Sequence, residues 1–323
     1  MERSWERARS FVTLTPDELA VCIHTAFPEA RLVGAERLTG GLRNSNYRLS
    51  LAGAPSPVVL RLYVADRDAC GREAAVLQAV ADRVPAPRVW HFEPASEPPF
   101  ALLEWLEGEP LDRVLDECDG PTAVELAAAC GAALAAIHAI HFPAPGFLGP
   151  DLRTVNPMAD WASAVSSALA GVVEQRLGPD LAMRVRRAVE SEGPAIEPVW
   201  SQAVLVHGDY KPWNLLGQID RGSGVADSRL LTGIVDWEFA CAGCRLIDFA
   251  TFLRDEASRP AGYGDAFVSA YATAGGTLPA EWRRLTRLVD VLNLLQMLTW
   301  VDEAAATRLR DLVSASLPDA TAP

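Results

Sequence analysis

The sequence predicts an α+β protein of two lobes, with a β-rich front and a mainly helical back. Three observations carry that prediction. The first hundred residues break into short strand-like runs separated by Gly and Pro turns, with one early and one central helix. After Gly108-Glu-Pro110 the pattern changes to long amphipathic helices. Between those helices lie two further strand-like runs. A chain of 323 residues is long for one compact core, and a cleft between two lobes is where a ligand tends to bind.

In chain order, residues 31–39, 46–51 and 57–63 are the first strand candidates. Residues 71–80 have helical spacing, with Ala75, Val76 and Ala79 or Val80 on one side. Pro85-Ala-Pro87 ends that helix and leads into strands at 88–92 and 100–105, the first of which should pair with a neighbour. The back is expected to hold helices at 121–141, 160–177, 180–191, 261–273 and 284–301, with strands at 203–206 and 230–235. Residues 217–228, rich in Gly, Ser and Asp, suit a solvated hairpin tip, and 316–323 reads as a frayed end. The lobes are therefore placed at 1–104 and 105–323, with a hinge at about 103–108.

Half the residues are hydrophobic and 22% are charged, the balance of a globular protein. Residues 1–10 lack the apolar stretch of a signal peptide, and the Ala-rich run 126–137 is too short to span a bilayer. A cytoplasmic protein with no membrane partner is expected. The formal charge of −13 argues against a nucleic-acid partner and would suit a cationic substrate. Six cysteines do not make a disulfide scaffold at this length. Cys241 and Cys244 form a C-x-x-C without a second ligand pair, so they read as small residues beside a turn.

The chemistry concentrates in two segments. Val206-His207-Gly208-Asp209-Tyr210-Lys211-Pro212-Trp213-Asn214 places an Asp and an Asn at the spacing of a kinase catalytic loop. Asp209 would accept the proton of an attacking hydroxyl, and the Asn214 amide oxygen would help hold Mg²⁺ on nucleotide phosphates. Lys211 either steadies charge on the transferring phosphoryl group or is a solvated lysine. The second segment, Gly233-Ile234-Val235-Asp236-Trp237-Glu238, sets an acid at the end of a β-branched strand. Hard Mg²⁺ takes one or two carboxylates and leaves its other positions to phosphate and water, a role that suits Asp236.

His207-Gly-Asp209-x-x-x-x-Asn214, then Asp236-Trp-Glu238, then Gly243-x-x-x-x-Asp248-Phe-Ala250 resemble the successive motifs of the aminoglycoside phosphotransferase and choline kinase-like family. The resemblance implies a protein-kinase-like fold and ATP as phosphoryl donor, with GTP as the alternative. It also implies that His207 and Asp248 support the catalytic loop. Leu38-Thr-Gly40-Gly41-Leu-Arg-Asn44-Ser45 is similar to the family's nucleotide-covering loop, with Gly40, Gly41 and Ser45 near the phosphates. Arg61 stands where the family's strand usually carries a phosphate-binding lysine, and Glu73 on the next helix would be its ion-pair partner. Residues 100–108 resemble the hinge, where the Glu104 carbonyl and Leu106 amide would pair with the adenine edge.

Other readings are weaker. Asp236 is followed too soon by Asp248 for a protein-kinase activation segment, and no Ala-Pro-Glu occurs. A metal-dependent hydrolase would collect more histidines than the five present, and His138 and His141 suit packing or capping. A nucleotide-binding pseudokinase is favoured only by Arg61. The expected activity is transfer of the ATP γ-phosphoryl group to a hydroxyl of a small polar acceptor such as an antibiotic, homoserine, a choline-like alcohol or a sugar.

Overall fold

The computed structural model describes residues 11–38, 43–218 and 230–318. In the front, α1 (Pro16–Ala26) begins at a capping box: Thr15 accepts from the Glu18 amide while the Glu18 carboxylate accepts from the Thr15 amide. There follow β1 (Arg31–Leu38), β2 (Ser45–Ala52), β3 (Val58–Leu62), α2 (Ala69–Val80), β4 (Val89–Glu93) and β5 (Phe100–Glu104). The strands form one antiparallel sheet in the order β1-β2-β3-β5-β4. Alternation in β2 turns Tyr47, Leu49 and Leu51 inward, where they meet Leu60, Leu102 and the apolar side of α1.

The back opens with β6 (Glu109–Pro110), α3 (Leu111–Glu117) and α4 (Gly120–His138), then β7 (Gly146–Leu148) and β8 (Thr154–Pro157). Next come α5 (Trp161–Ala168), α6 (Val172–Leu177), α7 (Pro179–Trp200), β9 (Val204–Val206), β10 (Leu215–Gly217), β11 (Leu231–Ile234) and β12 (Cys241–Gly243). The chain closes with α8 (Leu246–Leu253), α9 (Tyr263–Thr273), α10 (Trp282–Met297) and α11 (Glu303–Ser316). The result is a two-lobed, protein-kinase-like fold, β-rich in front and helical behind. By length and composition α4 passes for a membrane span. Here it is a core helix, with Leu126, Cys130, Leu134 and Ile137 buried.

Several elements depart from the sequence expectation. The helix expected over 160–177 is broken: α5 ends at Ala168, and α6 starts after Gly171, which turns the chain at a φ of 62°. The helix expected to stop at residue 191 continues through Pro194 and Pro198 to Trp200, because Ile196, Val199 and Trp200 are buried in the helical core. The short α3, α8 and the terminal α11 were not anticipated, nor were the two- to four-residue strands β6, β7, β8, β10 and β12. Residues 219–228 of the expected hairpin tip and 319–323 of the expected frayed end lie outside the described residues.

Two small sheets position the site. In one, β10 pairs with both β11 and β6, so the connector leaving the front sheet is stitched onto the β10–β11 hairpin through Leu216 and Pro110. In the other, β9 and β12 are neighbours, which brings the segments ahead of Asp209 and after Asp236 side by side.

Candidate active site

The fully buried strand β9 delivers the chain into the 207–214 loop. Gly208 turns the corner at φ 80°, and a Cβ there would come within 2.5 Å of the Phe239 carbonyl oxygen, so only glycine fits. Asp248, fully buried in the first turn of α8, holds this corner from below. Its Oδ2 accepts the His207 amide at 2.8 Å and its Oδ1 accepts the Gly208 amide at 2.8 Å. His207 is occupied at both ring nitrogens: the Asp209 amide donates to Nδ1 (3.3 Å), which leaves Nε2–H to donate to the Val235 carbonyl (3.1 Å).

Asp209 emerges from that corner with its Oδ2 shared by Lys211 Nζ at 2.9 Å and Asn214 Nδ2 at 2.7 Å. Asn214 Nδ2 also donates to the Asp209 carbonyl at 3.0 Å, so the amide oxygen is the atom a hard cation would take. The Val235 amide donates to the Asn214 carbonyl at 2.9 Å, tying this loop to the strand end that carries Asp236.

Asp236 sits in the left-handed region (φ 69°, ψ 61°), an uncommon backbone state for a residue with a side chain. Its Oδ1 accepts from Arg61 Nη2 at 2.6 Å. Burial works to raise the Asp236 pKa, but the charge and hydrogen bond of Arg61 outweigh it and hold the carboxyl below its usual range. Arg61, on β3 and itself buried, also places Nε 3.0 Å from Glu73 Oε2 and Nη2 4.0 Å from Glu238 Oε2. Glu73 in turn accepts from the Tyr63 hydroxyl at 2.6 Å and the Trp237 amide at 3.1 Å. Glu238 is raised to about 7 by burial and by the like charge of Asp236.

Asp209, Lys211, Asn214, His207 and Asp248 thus form one bonded group and Asp236, Arg61 and Glu73 another, the two joined through the backbone of Val235. Ser45 is engaged elsewhere: fully buried, its hydroxyl accepts from the Val12 amide at 3.0 Å. Gly40 and Gly41 lie outside the described residues. Glu104 ends β5, and its carboxylate accepts from the Arg88 amide at 3.1 Å. Leu106 packs on Gly233, where a Cβ would approach its Cδ1 to 2.9 Å. Among the described residues no three His, Cys, Asp or Glu side chains form a ready metal cage. An amide oxygen and a carboxylate nonetheless suit a hard cation that keeps water and phosphate among its ligands.

Three pairings were missed by sequence reasoning. Asn44 donates through Nδ2 to Glu238 Oε2 at 3.0 Å, and neither residue was given a role. His138 supports Asp248: Nε2–H donates to Asp248 Oδ2 (3.1 Å) and Nδ1 accepts from the Tyr271 hydroxyl (3.0 Å). Arg254 pairs bidentately with Asp290 at 3.0 and 2.5 Å and so ties α8 to α10. It lies one turn past Thr251, whose hydroxyl donates to the Tyr210 carbonyl at 3.1 Å. No local spacing announces any of these pairs. The buried Cys241 and Cys244 have thiols pushed up to about 12 by burial, as befits packed residues.

The model of the phosphotransferase enzyme family matches residues 34–288. No curated protein matches the chain by sequence. Among solved structures, a GDP complex of an aminoglycoside 2'-phosphotransferase-IIIa mutant is similar with a TM-score of 0.70 at 18% identity, covering 94% of this chain and 97% of that one. A candidate fructosamine-3-kinase from Thermobifida fusca gives 0.64 at 20% identity, covering 93% and 98%. A thermostable aminoglycoside phosphotransferase mutant, solved as a ternary complex with ADP and hygromycin B, gives 0.65 at 18% identity, covering 94% and 99%.

Proposed function

The chain belongs to the phosphotransferase enzyme family, and from that premise we propose that its site passes the γ-phosphoryl group of ATP to a hydroxyl of a small polar acceptor. It is an ATP-dependent phosphotransferase by family. The observation that carries the proposal is the Asp209 carboxylate, held by Lys211 and Asn214 in a loop braced by Asp248 and bonded to the neighbour of Asp236.

Asp209 would take the hydroxyl proton as the new O–P bond forms, and Lys211 would balance charge on the phosphoryl oxygens. The amide oxygen of Asn214 and the carboxylate of Asp236 would hold Mg²⁺, which when bound neutralises phosphate charge. Arg61, paired with Glu73, would present its guanidinium toward the α- and β-phosphates. The segment 103–108 would serve as the hinge, with the Glu104 carbonyl and Leu106 amide on the adenine edge. Catalysis of this kind is positioning with electrostatic stabilisation, which suits a site whose charged groups are already fixed by mutual bonds.

The solved relatives are described as acting on an aminoglycoside or a fructosamine, and their complexes contain ADP or GDP. The acceptor proposed here is accordingly an amino-bearing alcohol, a choice that the net charge of −13 also favours. Incubation with Mg-ATP or Mg-GTP and a panel of aminoglycosides, macrolides, glycated amines and amino alcohols tests this, with mass spectrometry reading one added phosphate. Phosphorylation confined to anionic or uncharged acceptors would overturn the acceptor class. Nucleotide binding without transfer to any panel member would favour the pseudokinase alternative.

A further inference from the structure

Glu238 lies two residues past Asp236, in the 3₁₀ turn Trp237–Phe239, and the proposed reaction assigns it nothing. It is buried, 8% exposed, and its Oε2 is heavily engaged. Asn44 Nδ2 donates to it at 3.0 Å, Arg43 Nε stands 3.5 Å away and Arg61 Nη2 stands 4.0 Å away. Asn44 is itself anchored, because its Oδ1 accepts the Val64 amide at 3.3 Å, just beyond β3. The Arg43 guanidinium lies 5.3 Å over the ring of Phe239. On the backbone side, the Glu238 carbonyl accepts from Arg72 of α2 at 3.2 Å. The residues before β2, the exit of β3 and α2 therefore converge on one glutamate beside Asp236.

We propose that Glu238 is a positioning residue that docks the front sheet onto the turn carrying Asp236. On this view its carboxylate serves Asn44 and Arg43, and the metal is left to Asp236 and Asn214. What it positions rests on the phosphotransferase reading; the contact itself does not. A carboxylate accepting from an amide inside the protein gives a charge-assisted bond whose loss leaves both partners without their match. Losing that register would separate the phosphate-binding strand from the metal-binding turn.

An exchange of partners separates positioning from metal binding. Asn44→Asp sets two carboxylates against each other, and Glu238→Gln removes the charge. The double variant Asn44→Asp/Glu238→Gln restores one carboxylate facing one amide, in reversed order. Each single change is expected to raise the KM for ATP by about tenfold or more, from the loss of one charge-assisted bond, with a smaller effect on kcat. The double variant should recover most of that loss, and the Mg²⁺ concentration at half-maximal rate should stay unchanged throughout. No recovery in the double variant, or a raised Mg²⁺ requirement confined to Glu238→Gln, would overturn the proposal; the second result would make Glu238 a metal ligand. Melting temperatures read the same exchange without nucleotide: depressed in each single variant and recovered in the double. If the parent bound no Mg-nucleotide, the phosphotransferase reading would fail, and the melting series would still decide the contact.

Discussion

Asp209 holds its carboxylate in place with two donors on one oxygen, so the proposed base is oriented before an acceptor arrives. Asp209→Asn keeps an oxygen for Lys211 and Asn214 but removes the basicity. It should lower kcat by at least about two orders of magnitude while nucleotide affinity stays within a few-fold. Near-parental kcat in the folded variant would remove Asp209 from the chemistry. His138 gives a second expectation at this scale. Burial is the largest influence and lowers its pKa from the ordinary 6.5, against the opposing pull of Asp248, so the fold holds it neutral. The unfolded chain takes up a proton that the native state refuses. The stability contribution is therefore complete above 6.5 and is lost as pH falls below it. Between about pH 7 and about pH 5.5 the parent's melting temperature should fall relative to that of His138→Gln, which can both donate to Asp248 and accept from Tyr271. Taking the difference removes the opposite, stabilising trend of Glu238, raised to about 7 in both proteins. At residue scale the acids and amides of the loops were legible, because their spacing is local. Glu238, Asn44 and Arg254 were not, because each takes its role from a partner far along the chain.

Elements were legible where burial and local preference agree. Strand β2 alternates cleanly, and the helix over 71–80 was anticipated almost to its ends. They were misread where tertiary packing overrides a local signal. Pro194 and Pro198 look like stops, yet α7 runs through both because its last turns are buried against α5 and Trp200 donates to the Ala159 carbonyl at 2.9 Å. Helix α11 did carry a signal: the Asp302 side chain caps it at the Ala305 amide, and Ala306, Leu309 and Val313 recur on its buried side. The contact of α4 with α9 sets the third expectation. Gly131 lets α4 lie against the backbone of α9, where an added Cβ would stand 2.0 Å from the Phe267 carbonyl oxygen. Gly131→Ala must force the helices apart and should cost about 1–3 kcal/mol in urea unfolding, although alanine is the better helix former. An unchanged midpoint would mean that α9 can shift freely.

At the scale of the whole molecule the order of motifs was legible and the ties between front and back were not. The bonds that join them connect residues 175 and 194 positions apart, Arg61 with Asp236 and Asn44 with Glu238, and no periodicity encodes such pairs. These ties gather Glu73, Asp236 and Glu238 around Arg61 and Arg43, an excess of carboxyl groups over guanidiniums in a partly buried place, which shows in Glu238 being raised to about 7. Such an excess is costly for the protein alone and favourable once a divalent cation arrives with its phosphates. The whole fold should therefore register metal and nucleotide together. With a non-hydrolysable ATP analogue at about one hundred times its Kd, binding should add about 2.7 kcal/mol of stability, visible as a raised melting temperature. Chelating Mg²⁺ should remove most of that rise in the parent. In Asp236→Ala the melting temperature with nucleotide should be the same with and without Mg²⁺, because the carboxylate that couples metal to fold is gone. A variant that kept the full Mg²⁺-dependent rise would show that another group holds the metal.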